Sequence, residues 1–154
     1  MKVEIINPFI QAAREVLETE LGADPDRGDL HVQKSACTTN EVTTVVGITG
    51  QVSGIVLYSM SLATAIGIVS KMMGQEFAEF DELAQSGIGE LGNVITGRAG
   101  VLLSDAGYQT NITPPALVIG KGTMITTLDL NRLVFPLHTD VGPLEVQVVL
   151  KAAA

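Results

Sequence analysis

The chain of 154 residues is 46% hydrophobic and 17% charged, proportions that predict one globular domain over residues 1–154 and exclude a disordered chain. Nine Lys and Arg against 17 Asp and Glu leave a net charge of -8, and the basic residues are scattered, so a nucleic-acid partner is disfavoured. Cys37 is the only cysteine, which forbids an internal disulfide and suits a reducing cytosol.

The chain opens MKVEIINPF, with Glu4 standing where a secretory signal would be apolar, so a cytoplasmic location is expected. Asn7 followed by Pro8 predicts the first turn of a helix, because proline at that position gives up no needed donor. Ile10, Ala13, Leu17 and Leu21 then form its apolar stripe, and Gly22 supplies the stop. Ala23 to Gly28 is an acidic loop, and His31 to Cys37 reads as a strand in which Cys37 is a buried or half-buried residue. Val42 to Thr49 and Val52 to Met60 are rich in β-branched residues, with Gly50-Gln51 as a two-residue hairpin turn between them. No charge occurs from Val42 to Ser70, but Thr, Gly, Ser and Gln interrupt the run, so buried strands are expected there and no membrane span.

Ser61 caps a helix over Leu62 to Met73 that Gly74 ends. A longer helix follows from Asp81 as N-cap to Gly107 as stop, with Ala84, Ile88, Leu91, Ile95 and Leu102 as its apolar stripe. Beyond it, Tyr108 to Thr113 is a strand. Pro114-Pro115 cannot donate to a central ladder and marks an edge or a bend. Ala116 to Gly120 and Met124 to Leu128 are short strands, and Arg132 to Thr139 with Leu144 to Lys151 form a closing hairpin across Asp140 to Pro143. The order predicts an α/β (α+β) fold, a mostly antiparallel sheet covered by helices, with pseudo-duplicated halves in which the first helix is the counterpart of the long one.

At about 100° per residue, Ser86, Glu90, Asn93 and Gly97 fall on the long helix face turned away from the apolar stripe, with Gly89, Gly92 and Gly100 beside them. Each glycine costs a helix interior about 1 kcal/mol relative to alanine, so a surface bared for the approach of another molecule's backbone is expected. Residues at i and i+3 are neighbours on a helix, and Glu90 and Asn93 can therefore reach one small target together. The carboxylate suits a cation, and the carboxamide can hold a water without ionising. A nucleophile beside a base, a metal cage and a phosphate loop are all missing, so a catalytic reading needs the other half of the site to come from a partner. His31 and His138 are far apart in the sequence and stand beside no carboxylate cluster, which disfavours a metallohydrolase. The other reading is a non-catalytic module that docks a partner protein through the same face.

The run DELAQSGIGELGN from Asp81 to Asn93, ITPP from Ile112 to Pro115 and VVGITGQVSG from Val45 to Gly54 resemble the CheC/CheX/FliY family of chemotaxis phosphatases. The family motif has Asp or Ser, then Glu, then Asn, then a distant Pro, and Ser86, Glu90, Asn93 and Pro115 match it. The resemblance implies the CheC-like fold, a homodimer, and dephosphorylation of the response regulator CheY, the alternative being a non-catalytic binding protein that docks a response regulator or a flagellar switch component through the same face. It further implies that Glu90 and Asn93 are catalytic, Glu90 engaging a lysine of CheY and Asn93 orienting the attacking water. Ser86, Gly89, Gly92, Gly97 and Pro115 would meet the partner. Magnesium is expected on phosphorylated CheY, with no cofactor or metal of the chain's own. In the first helix Asn7, Gln11 and Arg14 occupy the same spacing without the Glu and Asn pair, so one active surface is expected where other members have two.

Overall fold

The structure, a computed structural model, describes residues 2–33, 36–127 and 130–153. In chain order it comprises helix α1 (Val3–Leu21), strands β1 (Asp26–Arg27), β2 (His31–Gln33), β3 (Ala36–Thr38), β4 (Val42–Gly50) and β5 (Val52–Met60), and helices α2 (Leu62–Met73) and α3 (Glu82–Asp105). Strands β6 (Thr110–Ile112), β7 (Ala116–Ile119), β8 (Met124–Thr126), β9 (Arg132–Thr139) and β10 (Gly142–Ala152) complete it.

All the pairings are antiparallel, and the main sheet runs β1-β9-β10-β5-β4-β6, with β2 also on β9 and β7 also on β4. The order is nearly symmetric about the central β5–β10 ladder. On each side of that ladder a long strand, β4 or β9, carries two short outer pieces. The separate β3–β8 pair takes one strand from each half. The expected duplication is therefore visible in the topology, and α1 and α3 are its paired helices.

Alternation along the strands sends Val46, Val56, Tyr58, Val146, Val148 and Phe135 into one core with Phe9 and Leu17 of α1 and Ile88, Leu91 and Ile95 of α3. Each fully buried large aliphatic side chain contributes about 1.5–3 kcal/mol. On the alternate positions Leu57, Val134, Val149 and Arg132 are buried, and Arg132 donates to Gln147 Oε1 (2.9 Å) and to Ile125 O of β8 (2.8 Å). That arginine ties the second face of the sheet to the small β3–β8 pair.

Several local expectations change. Helix α1 begins at Val3, before Pro8, because burial of Ile5 and Ile6 extends it and Ile5 and Ile6 both donate to Lys2 O. Proline there forgoes one helical bond near the start, where the loss is smallest. The β4–β5 register pairs Ile48 with Gly54 and centres on Gln51, so the turn is not the two-residue type. The tip is held from outside: Gln51 N donates to Gln109 O (3.0 Å), and Ala153 N donates to Gln51 O (2.7 Å). The strand read from His31 to Cys37 is two strands, β2 on β9 and β3 on β8. The burial of the Cys37 side chain and the strand end at Leu128 lie outside the described residues. The closing hairpin is tighter than read, with Thr139 paired to Gly142 and only Asp140 and Val141 between them.

Candidate functional site

Helix α3 is fixed at both ends by its own residues. Ala84 N donates to Asp81 Oδ1 (2.9 Å), capping the start. At the other end Gly107 has φ 97°, Gly107 N donates to Ser104 O and Tyr108 N donates to Leu103 O, a paired closure that needs a left-handed residue where glycine stands.

The buried side of α3 is broader than the apolar stripe implies. Gly87, Gly89, Gly92, Thr96, Ala99 and Leu103 are buried along with Ala84, Ile88, Leu91 and Ile95, whereas Leu102 is only half-buried. A side chain at Gly92 would meet Thr44 Cγ2 at 2.7 Å and Tyr58 Cδ2 at 3.3 Å. The expectation that Gly92 faces a partner is thus corrected: its bare side is turned to strands β4 and β5, where it lets the helix sit close on the sheet. Beside it Thr96 Oγ1 donates to Gly92 O and shares a 2.7 Å hydrogen bond with the Tyr58 hydroxyl. Burial pushes the Tyr58 phenol pKa up, so this pair stays neutral. Gly89 is also buried, and a Cβ there would stand 3.2 Å from Leu117 and 3.8 Å from Pro115, so its missing side chain admits β7. Gly97 differs from both, since a Cβ there would find nothing nearer than Ile112 at 4.0 Å.

On the outward side Ser86 and Glu90 are exposed and Asn93 is half-buried. Among the described residues neither Glu90 nor Asn93 has a side-chain hydrogen bond or an ion pair. A shallow groove joins Ser86, Gly89 and Glu90 to Pro115, Leu117, Glu82 and Gln85. The double proline produces that wall. It interrupts the edge of the sheet between β6 and β7, both paired to β4, and Thr113 bridges the gap by exchanging bonds with Gly47 (Thr113 N to Gly47 O 2.9 Å; Gly47 N to Thr113 Oγ1 2.8 Å). Pro115 is thereby carried to the side of α3, so the structure brings Ser86, Gly89, Glu90 and Pro115 together and leaves Gly92 beneath them.

Sequence reasoning did not single out Glu82, Gln85 or Leu117. Glu82 lies one turn before Ser86 on the same face, a signal the helical spacing already carried. Leu117 follows Pro115 by two residues, the strand spacing that returns a side chain to one face.

Among the described residues no group of three or more His, Cys, Asp or Glu gathers where it could hold a metal, and no helix is long and apolar enough to cross a membrane. What the face offers is a fixed carboxylate and a carboxamide, both unengaged, on a rigid helix beside an apolar wall. Such a set can bind a cation and orient a water, but supplies no nucleophile of its own.

Known proteins share this fold. The family model for the chemotaxis phosphatase CheX matches residues 42–138. A relative from Thermotoga maritima, CheY-P phosphatase CheX, is 38% identical over 126 residues, which are 81% of this chain and 81% of that protein. The crystal structure of a CheC-like superfamily protein from Shewanella sp. PV-4 has a TM-score of 0.88 at 28% identity, covering 99% of this chain and 100% of that one. The CheX–CheY–BeF3–Mg+2 complex from Borrelia burgdorferi contains a chain similar at TM-score 0.82 and 27% identity, with 97% of this chain and 99% of that one covered. With its fold and its outward Glu90 and Asn93 in place, the chain belongs to the CheX family of chemotaxis phosphatases.

Proposed function

We propose that the protein hydrolyses the aspartyl phosphate of the response regulator CheY, using the outward face of α3. The observation that carries this reading is the pair Glu90 and Asn93, one helical turn apart on a capped helix and without side-chain partners among the described residues, with Glu90 on the groove that Pro115 and Leu117 line. An aspartyl phosphate is an activated acyl phosphate, so the enzyme has only to place water in line and arrange charge. Glu90 accepts a charge-assisted hydrogen bond from a lysine ammonium of the regulator, which locks the two proteins in register. Asn93 holds the water by its carboxamide. The water oxygen bonds to phosphorus as the bond from phosphorus to the aspartyl oxygen breaks; the electron pair leaves with the carboxylate, and a proton passes to solvent. Magnesium belongs to the regulator, and the chain contributes no cofactor.

The same reading carries a cytosolic setting, in keeping with a single cysteine, and a homodimer paired through the short outer strands, which light scattering at micromolar concentration tests by giving the mass of two chains or of one. Activity is tested by mixing the purified protein, at substoichiometric amount, with phosphorylated CheY and Mg2+ and following phosphate release. Many phosphates per chain are expected. Binding without turnover would contradict the proposal and leave a docking module in its place.

A further inference from the structure

Three large aliphatic side chains of α3 are unusually open to solvent: Leu83 is 53% exposed, Val94 42% and Val101 52%. At about 100° per residue they form one stripe next to Glu90, on the side away from Pro115 and Leu117, and at 1.5 Å per residue the stripe is about 27 Å long. Glu90 is therefore flanked by apolar residues on both sides, Leu117 and Pro115 across the groove and Leu83, Val94 and Val101 along α3 itself, where Val94 also lines a recess against Val16 and Glu15 of α1. Contiguous exposed apolar surface marks a face that meets another protein, and contacts that ring a central charged pair exclude water from it.

An internal comparison argues that the stripe is not required by the scaffold. With Ser86 set against Asn7, the two helices share six buried positions, Ala84, Gly87, Ile88, Leu91, Gly92 and Thr96 aligning with Ile5, Pro8, Phe9, Ala12, Ala13 and Leu17, while buried Gly89, Ile95 and Ala99 meet half-buried Ile10, Val16 and Glu20. In that alignment Leu83, Val94 and Val101 fall on Glu4, Glu15 and Gly22. Glu4 accepts from the Tyr108 hydroxyl (2.7 Å), and Glu15 accepts from Gln11 and Arg98. The apolar stripe is present on the helix that bears Glu90 and Asn93 and absent from its counterpart.

We infer that Leu83, Val94 and Val101 are positioning residues for the phosphorylated regulator, seating an apolar patch of that partner next to the cation that Glu90 engages. The inference rests on the function proposed above. Apolar contacts of the stripe form on docking and are the same in the ground and transition states, so the stripe acts on complex formation and not on the chemical step.

The test uses the double variant Leu83→Ser/Val101→Ser, with Val32→Ser as a control at another exposed apolar residue, on β2 at the far edge of the sheet. Binding to beryllofluoride-activated CheY with Mg2+ is measured by titration, alongside turnover of the phosphorylated form and thermal unfolding. The double variant should raise Kd and KM about tenfold while kcat and the melting temperature hold, and the control should match the wild type. An unchanged Kd for the double variant, with a wild type that binds, would overturn the positioning role alone. A lowered kcat with unchanged KM would also overturn it. Failure of the wild type to bind activated CheY would overturn the proposed function and this inference together.

Discussion

The outward faces of α1 and α3 are built on the same scaffold and end in opposite chemical states. On α1 the heads satisfy one another: Arg14 reaches both oxygens of Asp24 (3.1 and 2.6 Å), and Gln11 donates to Glu15 (2.8 Å). The Gln11 amide, together with Arg98, holds the Glu15 carboxyl below its usual range, and Arg14 does the same for Asp24. On α3 the corresponding Glu90 and Asn93 are left unengaged. Six buried positions agree between the helices while the outward heads diverge, so the fold places a helix there and the function proposed here depends on which side chains are left without internal partners.

This contrast can be broken from either side. Short of Asn93 itself, the largest effect is expected from Glu90→Ala, which removes the proposed charge-assisted contact with the partner; kcat/KM should fall about a hundredfold and Kd should rise, as steady-state kinetics and titration will show. Next comes Gly92→Leu, which forces atoms into Thr44 and Tyr58 and should lower stability by about 1–3 kcal/mol in thermal or denaturant unfolding. Because Gly92 faces the sheet, the protein that remains folded should bind CheY with the wild-type Kd. The smallest effect belongs to Gln11→Ala: turnover should stay at the wild-type rate, since α1 carries Gln11 and Arg14 where α3 carries Glu90 and Asn93. Abolished turnover in a folded Gln11→Ala protein would mean that α1 carries a second active surface.

Helix α3 was legible from Asp81 to Gly107 because both signals are local: a cap three residues from its donor and a glycine at a left-handed position. The β4–β5 pair and the edge at Pro114-Pro115 were legible for the same reason, as β-branched composition and missing donors act on their own residues. Features decided by distant contacts were not. The Gln51 turn is reshaped by Gln109 and Ala153, remote in sequence, and β2 and β3 are separate strands because they pair with different partners, β9 and β8. Gly92 shows the same limit within the site. At about 80° from Ala84 it sits between the buried and open faces, and only the nearness of Tyr58 and Thr44 decides which it joins.

The central claim is that Asn93 places the attacking water while Glu90 and the apolar stripe hold the partner. Single-turnover dephosphorylation of saturating phosphorylated CheY by Asn93→Ala, measured with the Kd of the same variant, tests it most directly. The rate should fall by two or more orders of magnitude, on the order of 3 kcal/mol of lost transition-state stabilisation, while Kd stays within about threefold of the wild type. A wild-type rate for Asn93→Ala would contradict the water-positioning role.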